Sequence, residues 1–207
     1  MVNQLKIGVL GIQGAISEHV SMMKQITNQQ GNKTKISIIR TKSELKDIAG
    51  LIIPGGESTT ISRFLLRNDL HNIIRKRVTD HTLSVMGTCA GCVLVASNIV
   101  DQGKELTLLS LMNMRVKRNA FGRQRESFEQ NIHIKGMKDT FPAVFIRAPL
   151  ILETWGNCIP FAQMQEGIVM AKQDNVIALS FHPELTNDRR VHEYFYNMVE
   201  FYTKNEK

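Results

Sequence analysis

The chain has 207 residues, 43% of them hydrophobic, enough to bury one sizeable core, yet no run nears the ~20 apolar residues that a bilayer-crossing helix needs. Its formal net charge is +7, but Lys and Arg are scattered, with short clusters only at Arg75-Lys76-Arg77 and between Arg115 and Arg125, and aromatic residues make up only 6%. Few rings to stack bases and no basic stripe argue against nucleic acid, so a solvated basic surface, or one facing an acidic partner, is expected.

The N-terminal MVNQLKIGVLGIQG lacks the basic start, long apolar centre and small-residue cleavage site of a signal peptide. Three cysteines cannot build a disulfide framework. A soluble, cytoplasmic protein with one domain over 1–207 is the expectation.

Apolar runs at Lys6–Leu10, Lys35–Ile39, Leu51–Ile53 and Leu83–Met86 predict strands. Between them helical spacing predicts helices at Ala15–Asn28, Thr60–Arg67, Leu70–Asp80 and Ala90–Asn98, with Ser43 capping a short one before Gly50. The alternation describes an α/β protein: an open, mostly parallel sheet flanked by helices. TNQQGNKTK, Thr27 to Lys35, reads as a polar surface loop. From Leu106 to Phe181 the texture is more strand-like and predicts additional antiparallel strands: SFEQNIHIKG alternates, AVFIRAP is a compact apolar run, and GIVMAKQDNVIALSF folds around a turn at Gln173-Asp174-Asn175. The chain closes on a helix whose stripe of Val191, Tyr194, Phe195, Met198, Val199 and Tyr202 is core packing, with Asp188 as its cap.

Three segments carry chemistry. Gly87-Thr88-Cys89-Ala90-Gly91 sits where a strand hands over to a helix, the setting of a nucleophile elbow with sulfur in place of oxygen. A helix N-terminus and a neighbouring imidazolium would both favour the thiolate there. A buried, inert thiol is the competing reading of Cys89. Cys92, one helical turn on, is badly placed for a redox pair, and no second cysteine or histidine pair completes a zinc site. In LSFHPEL, His182 emerges at a strand end and Glu184 can reach back to fix its tautomer, so the pair fits a base that also returns a proton to a leaving amine. His19, His71, His81, His133 and His192 have no such carboxylate beside them in sequence and read as surface or satisfied partners. In LIIPGGEST, Gly55 and Gly56 can turn backbone N–H groups toward a ligand, and with the N–H of Ala90 they are candidates for an oxyanion hole; an ordinary turn is the plainer reading. Open parallel sheets gather such pieces at the carboxyl edge of their strands.

In order along nearly the whole chain, GVLGIQGA, PGGESTT, GTCAG, RNAFGRQ, SFE, FIRAP and FHPEL resemble the class I, triad-type glutamine amidotransferases, and within them the glutaminase subunits of pyridoxal phosphate synthases. The resemblance implies a flavodoxin-like sheet, Cys89 as nucleophile, His182 as base, Glu184 as its orienting partner, and glutamine held by Gly56, Glu57, Ser58, Arg118, Ile146 and Arg147. It implies no cofactor and no membrane. It also implies a (β/α)-barrel synthase as partner in a hetero-oligomer, which takes up the ammonia, completes the oxyanion hole on docking and lies beside Gln13, for which a structural turn is an equally good reading. An amidotransferase subunit of another pathway, such as that of imidazole glycerol phosphate synthase, would lack RNAFGRQ and FIRAP, and a silent scaffold is the remaining alternative. Two features depart from the usual pattern: the length of TNQQGNKTK, and Cys92 at a position commonly aliphatic.

Overall fold

The computed structural model describes residues 4–29, 34–100, 106–121 and 126–205. The middle of the polar segment after Thr27, at 30–33, and the end of RNAFGRQ lie outside them.

The described chain runs β1 (Lys6–Leu10), α1 (Ile16–Gln29), β2 (Lys35–Ile39), α2 (Lys42–Lys46), β3 (Gly50–Ile53), α3 (Ser58–Arg67), α4 (Leu70–Thr79), β4 (Ser84–Thr88), α5 (Ala90–Val95) and β5 (Ala96–Ile99). It continues through β6 (Met112–Lys117), β7 (Ser127–Ile132), β8 (Phe141–Ile146), β9 (Leu150–Thr154), β10 (Ile159–Met164), β11 (Gly167–Gln173) and β12 (Val176–Leu179), then a 3₁₀ turn at Pro183–Leu185 and α6 (Arg190–Lys204). A 10-stranded sheet has the order β2-β1-β3-β4-β12-β11-β9-β6-β5, with β10 beside β11. Its first five strands are parallel, and β11, β9 and β6 follow in antiparallel succession.

The parallel strands read as continuous apolar runs because helices cover both of their faces. Alternate residues feed two cores: Leu51, Ile53, Val85, Val176 and Ala178 pack with α3, α4 and α5, whereas Ile52, Met86, Ile177 and Leu179 pack with α1, α6 and β8. The expected stripe of α6 is there, with Val191, Phe195, Met198 and Val199 buried; Tyr194 and Tyr202 are only half-buried, and Tyr196 and His192 are buried as well. Asp188 caps that helix one residue early: its Oδ1 accepts from the N–H of Arg190 at 3.0 Å.

Several boundaries differ from the sequence reading. Helix α5 stops at Val95 instead of continuing to Asn98, because Ala96–Ile99 is claimed by β6 as a parallel neighbour and becomes β5. Strand β4 runs on to Thr88, where the register Leu179↔Thr88 with β12 still holds it. Thr41, not Ser43, caps α2, because Glu44 stands three residues after Thr41 and closes a capping box with it. Thr27, expected in a surface loop, lies inside α1 and is buried. The alternating strands β7 and β8 pair with each other in a separate two-stranded sheet. Their apolar side packs inward, with Phe145 against Phe181 just before His182.

Two glycines let the β4–α5 turn nest against β3. A Cβ on Gly91 would lie 2.1 Å from the Ile53 carbonyl oxygen, and one on Gly87 would lie 2.6 Å from the Gly91 carbonyl. Gly91→Ala is therefore expected to cost about 1–3 kcal/mol, as overpacking against backbone does. Calorimetry would show a Tm lower by roughly 2–4 °C per kcal/mol; an unchanged Tm would mean that the turn has room to move.

Candidate active site

The site grows from three strand ends. Register pairs Ile53↔Gly87 and Leu179↔Thr88 bring the ends of β3, β4 and β12 to one edge of the sheet. The chain leaves β4 through Cys89, whose φ of 50° and ψ of −102° lie outside the regions that L residues favour. Such a backbone costs about 1–3 kcal/mol and persists only where the surroundings impose it. Here the N–H of Cys89 donates to the Leu179 carbonyl at 2.8 Å, and the two glycines leave no space to relax. The partly exposed thiol donates to the Ile146 carbonyl at 3.8 Å and is also within hydrogen-bonding reach of His182.

His182 stands three residues beyond β12, and its N–H donates to the Val144 carbonyl of β8 at 2.8 Å. The following 3₁₀ turn folds Glu184 back, so that Glu184 Oε1 lies 2.8 Å from His182 Nδ1. With Nδ1–H committed to the carboxylate, Nε2 is the nitrogen left for the thiol. Burial acts to lower the basicity of His182, but its hydrogen bonds to Cys89 and Glu184 and the carboxylate charge outweigh it and raise its pKa to about 10. Burial would push the Glu184 carboxyl up; the facing His19 and His182 hold it well below the usual carboxylate range.

His19 and His192, read from the sequence as surface or satisfied partners, are not on the surface; they partner each other and His19 faces Glu184, a connection no motif announces. Both are fully buried: His19 Nε2 lies 3.4 Å from Glu184 Oε2, and His19 Nδ1 lies 2.9 Å from His192 Nε2. The signal was weak because α1 and α6 lie at opposite ends of the sequence. His71 fits the earlier reading, with its Nε2 at 2.9 Å from the Leu108 carbonyl.

A cavity of about 300 Å³ opens over the thiol, at the small end of the ~300–1,000 Å³ range of small-molecule sites. Every residue with an expected role in holding glutamine lines it: Gly56, Glu57, Ser58, Arg118, Ile146 and Arg147. Cys89, Ala90 and His182 line it too, together with Asn119 of RNAFGRQ, Pro149 of FIRAP, and Val93, which no motif had marked. Gly55 lies against the pair itself, since a Cβ there would meet His182 Cε1 at 2.6 Å and Cys89 Cβ at 3.3 Å. Gln13, also on the cavity wall, accepts the N–H of Glu57 through Oε1 at 3.0 Å. A wider open groove of about 790 Å³ beside Arg190 contains no thiol or imidazole. Among the described residues no group of three or more His, Cys, Asp or Glu could hold a metal ion, and no helix is long and apolar enough to cross a membrane.

With helices on both faces of the sheet and a thiol at the strand-to-helix elbow, the architecture is that of a class I glutamine amidotransferase. A crystal structure of a glutamine amidotransferase matches it with a TM-score of 0.85 at 38% identity, covering 94% of this chain and 98% of that one. A glutamine amidotransferase from Thermotoga maritima, 12% identical with a TM-score of 0.62 over 99% of this chain and 92% of its own, shares the fold. The chain belongs to the SNO glutamine amidotransferase family, whose model matches residues 9–201. Among its relatives, pyridoxal 5'-phosphate synthase subunit PdxT of Staphylothermus marinus is 43% identical, covering 94% of this chain and 98% of its own. The protein of the same name from Methanopyrus kandleri is 42% identical, covering 94% of this chain and 100% of its own.

The buried histidine gives stability a pH dependence. Burial, and then His19, push His192 down from 6.5 to about 3. The unfolded chain takes up this proton below 6.5, and the folded chain refuses it until about 3. Stability must therefore fall as pH falls through that window, by up to about 1.4 kcal/mol per pH unit for one group. The depressed Glu184 adds its own loss only below 4.5. In urea unfolding, His192→Gln is expected to flatten the dependence between 6.5 and 4.5; an equal slope in both proteins would show that His192 is not held neutral.

Proposed function

We propose that this chain is the glutaminase subunit of a pyridoxal 5'-phosphate synthase, hydrolysing the side-chain amide of L-glutamine to glutamate and ammonia. One observation carries the reading: His182 faces Cys89 with one side of its ring and Glu184 with the other, on the wall of a cavity sized for a small molecule. The names of the relatives give the pathway.

Glutamine enters with its amide over Cys89. Arg118 and Arg147 supply guanidinium groups for its α-carboxylate, and the Glu57 carboxylate supplies an acceptor for its ammonium group. His182, raised in basicity by its partners, holds the proton that Sγ gives up, the sulfur attacks the amide carbon, and the backbone N–H groups of Ala90 and Gly56 face the developing oxyanion, each such donor being worth about 10²–10³ in rate. The imidazolium, held by Glu184, returns the proton to the amide nitrogen, and ammonia leaves behind a thioester on Cys89. A water, deprotonated by the same ring, attacks that thioester, so that one glutamine and one water become one glutamate and one ammonia and the thiol is restored.

Free ammonia would be protonated in bulk water, where it is no nucleophile, so its value depends on delivery. In this reading a (β/α)-barrel synthase subunit receives it within a hetero-oligomer in the cytoplasm and consumes it in making pyridoxal phosphate. Gln13, bonded to the loop that carries Gly56 and Glu57, stands where docking would be felt.

The test is glutamate release from glutamine by the chain with and without its synthase partner. The wild-type pair is expected to release glutamate; Cys89→Ala and His182→Asn should lower kcat by at least about 10³-fold, and Glu184→Gln by a comparable factor through loss of the correct tautomer. Release that survives Cys89→Ala would remove the thioester from the mechanism.

A further inference from the structure

The geometry points to His19 as a positioning residue for this reaction: it faces the second oxygen of Glu184 and thereby holds the carboxylate that selects the tautomer of His182. The inference rests on the glutaminase reading for its role in turnover, and on the arrangement of buried groups for its existence.

Glu184 has two carboxylate oxygens and both are buried, with a side-chain exposure of 0%. Oε1 is bound to His182 at 2.8 Å. Oε2 has no close hydrogen-bond partner among the described residues, and the cation or donor facing it is His19 Nε2 at 3.4 Å. Groups face this pair from each element packed around it: Thr88 Oγ1 at the end of β4 lies 3.5 Å from the same His19 nitrogen, and His192 of α6 lies behind on the other.

The direction of the donors follows from what a buried imidazole can tolerate. If His19 carried its proton on Nδ1, its bare Nε2 lone pair would face a carboxylate oxygen, and the two would repel. If instead His192 donates from Nε2 to His19 Nδ1, the His19 proton lies on Nε2 and points at Glu184. The nitrogen then left without a partner is His192 Nδ1, and among the described residues it is indeed without one. An orphaned acceptor lone pair there accompanies a continuous run of donors, His192 to His19 to Glu184, that meets the bond from His182 at the same carboxylate. Outer partners of this kind fix ring orientation and basicity in the groups they touch. Without His19, Oε2 becomes a bare buried carboxylate oxygen, and Glu184 gains by turning away from His182 or by taking up a proton.

The test compares His19→Leu, which keeps bulk and removes the donor, with His19→Gln, which keeps an N–H donor. Two readouts are needed: kcat and KM for glutamine in the complex with the synthase, and the pH dependence of Cys89 alkylation by iodoacetamide in the chain alone. His19→Leu is expected to lower kcat about 10–100-fold with KM changed by no more than about twofold, and to move the alkylation limb to higher pH because the imidazolium loses its anchored counter-charge. His19→Gln should recover most of both. If the leucine variant does not fold, His19→Asn, polar but too short to reach Glu184, replaces it with the same expectation. A wild-type limb and wild-type kcat in the donor-less variant, or a glutamine variant as impaired as it, would overturn the inference. A wild-type complex that releases no glutamate would sink the glutaminase reading instead, and the alkylation limb would still decide the role of His19.

Discussion

The site depends on the parallel pairing of β4 with β12. That ladder ends at Leu179↔Thr88 and continues as one more hydrogen bond, from the N–H of Cys89 to the Leu179 carbonyl. It places the elbow thiol and the loop bearing His182 side by side although they are 93 residues apart, the difference between their sequence positions 182 and 89. Backbone pairing of this kind is rigid to a fraction of an ångström, and catalytic groups that exchange a proton need that rigidity. The strained backbone of Cys89 is tolerable for the same reason: β3 and β12 on either side of β4 determine the path, and Gly87 and Gly91 remove the side chains that would otherwise block it.

A second constraint is electrostatic. Glu184 is an ion without solvent, and an uncompensated carboxylate in such a place costs several kcal/mol. Two imidazoles, one from the loop after β12 and one from α1, meet its two oxygens, and α6 backs the second imidazole with a third. Helices α1 and α6, on the same face of the sheet, thus complete a charge arrangement of which His182 lines the cavity. The price in pH tolerance falls on His192, which stays neutral where an exposed histidine would be charged.

Sequence periodicity revealed the parallel half of the sheet and the positions of Cys89 and His182, because each follows an apolar strand run, and Glu184 came from its two-residue spacing to His182. It did less well where tertiary pairing decides. Ala96–Ile99 continues a helical apolar pattern and becomes a strand only because β6 is there to receive it. Strand β6 alternates in MNMRVK, yet it pairs with residues 150–154, far along the chain, so its place in the sheet is set only by folding. His19 was invisible for a related reason: nothing in SEHVSMM announces that its imidazole will meet a glutamate 165 positions later, a separation set by residues 19 and 184. Val93 joins the cavity wall by the same route, through folding, whereas Asn119 and Pro149 stand inside RNAFGRQ and FIRAP.

The three thiols show how completely environment, and not residue type, decides chemistry. Cys92 is buried inside α5 with its thiol pushed far up by burial and then by its neighbour Cys89, and Cys158 is raised by burial to about 11. Neither presents a thiolate at neutral pH, and neither lines the cavity. Cys89 differs from Cys92 by one turn of helix, yet it alone faces both an imidazole and open space. A Cys-x-x-Cys spacing that would suggest redox exchange in a different fold therefore has no such meaning here: the second sulfur is enclosed by the core, and the first opens on the cavity beside His182.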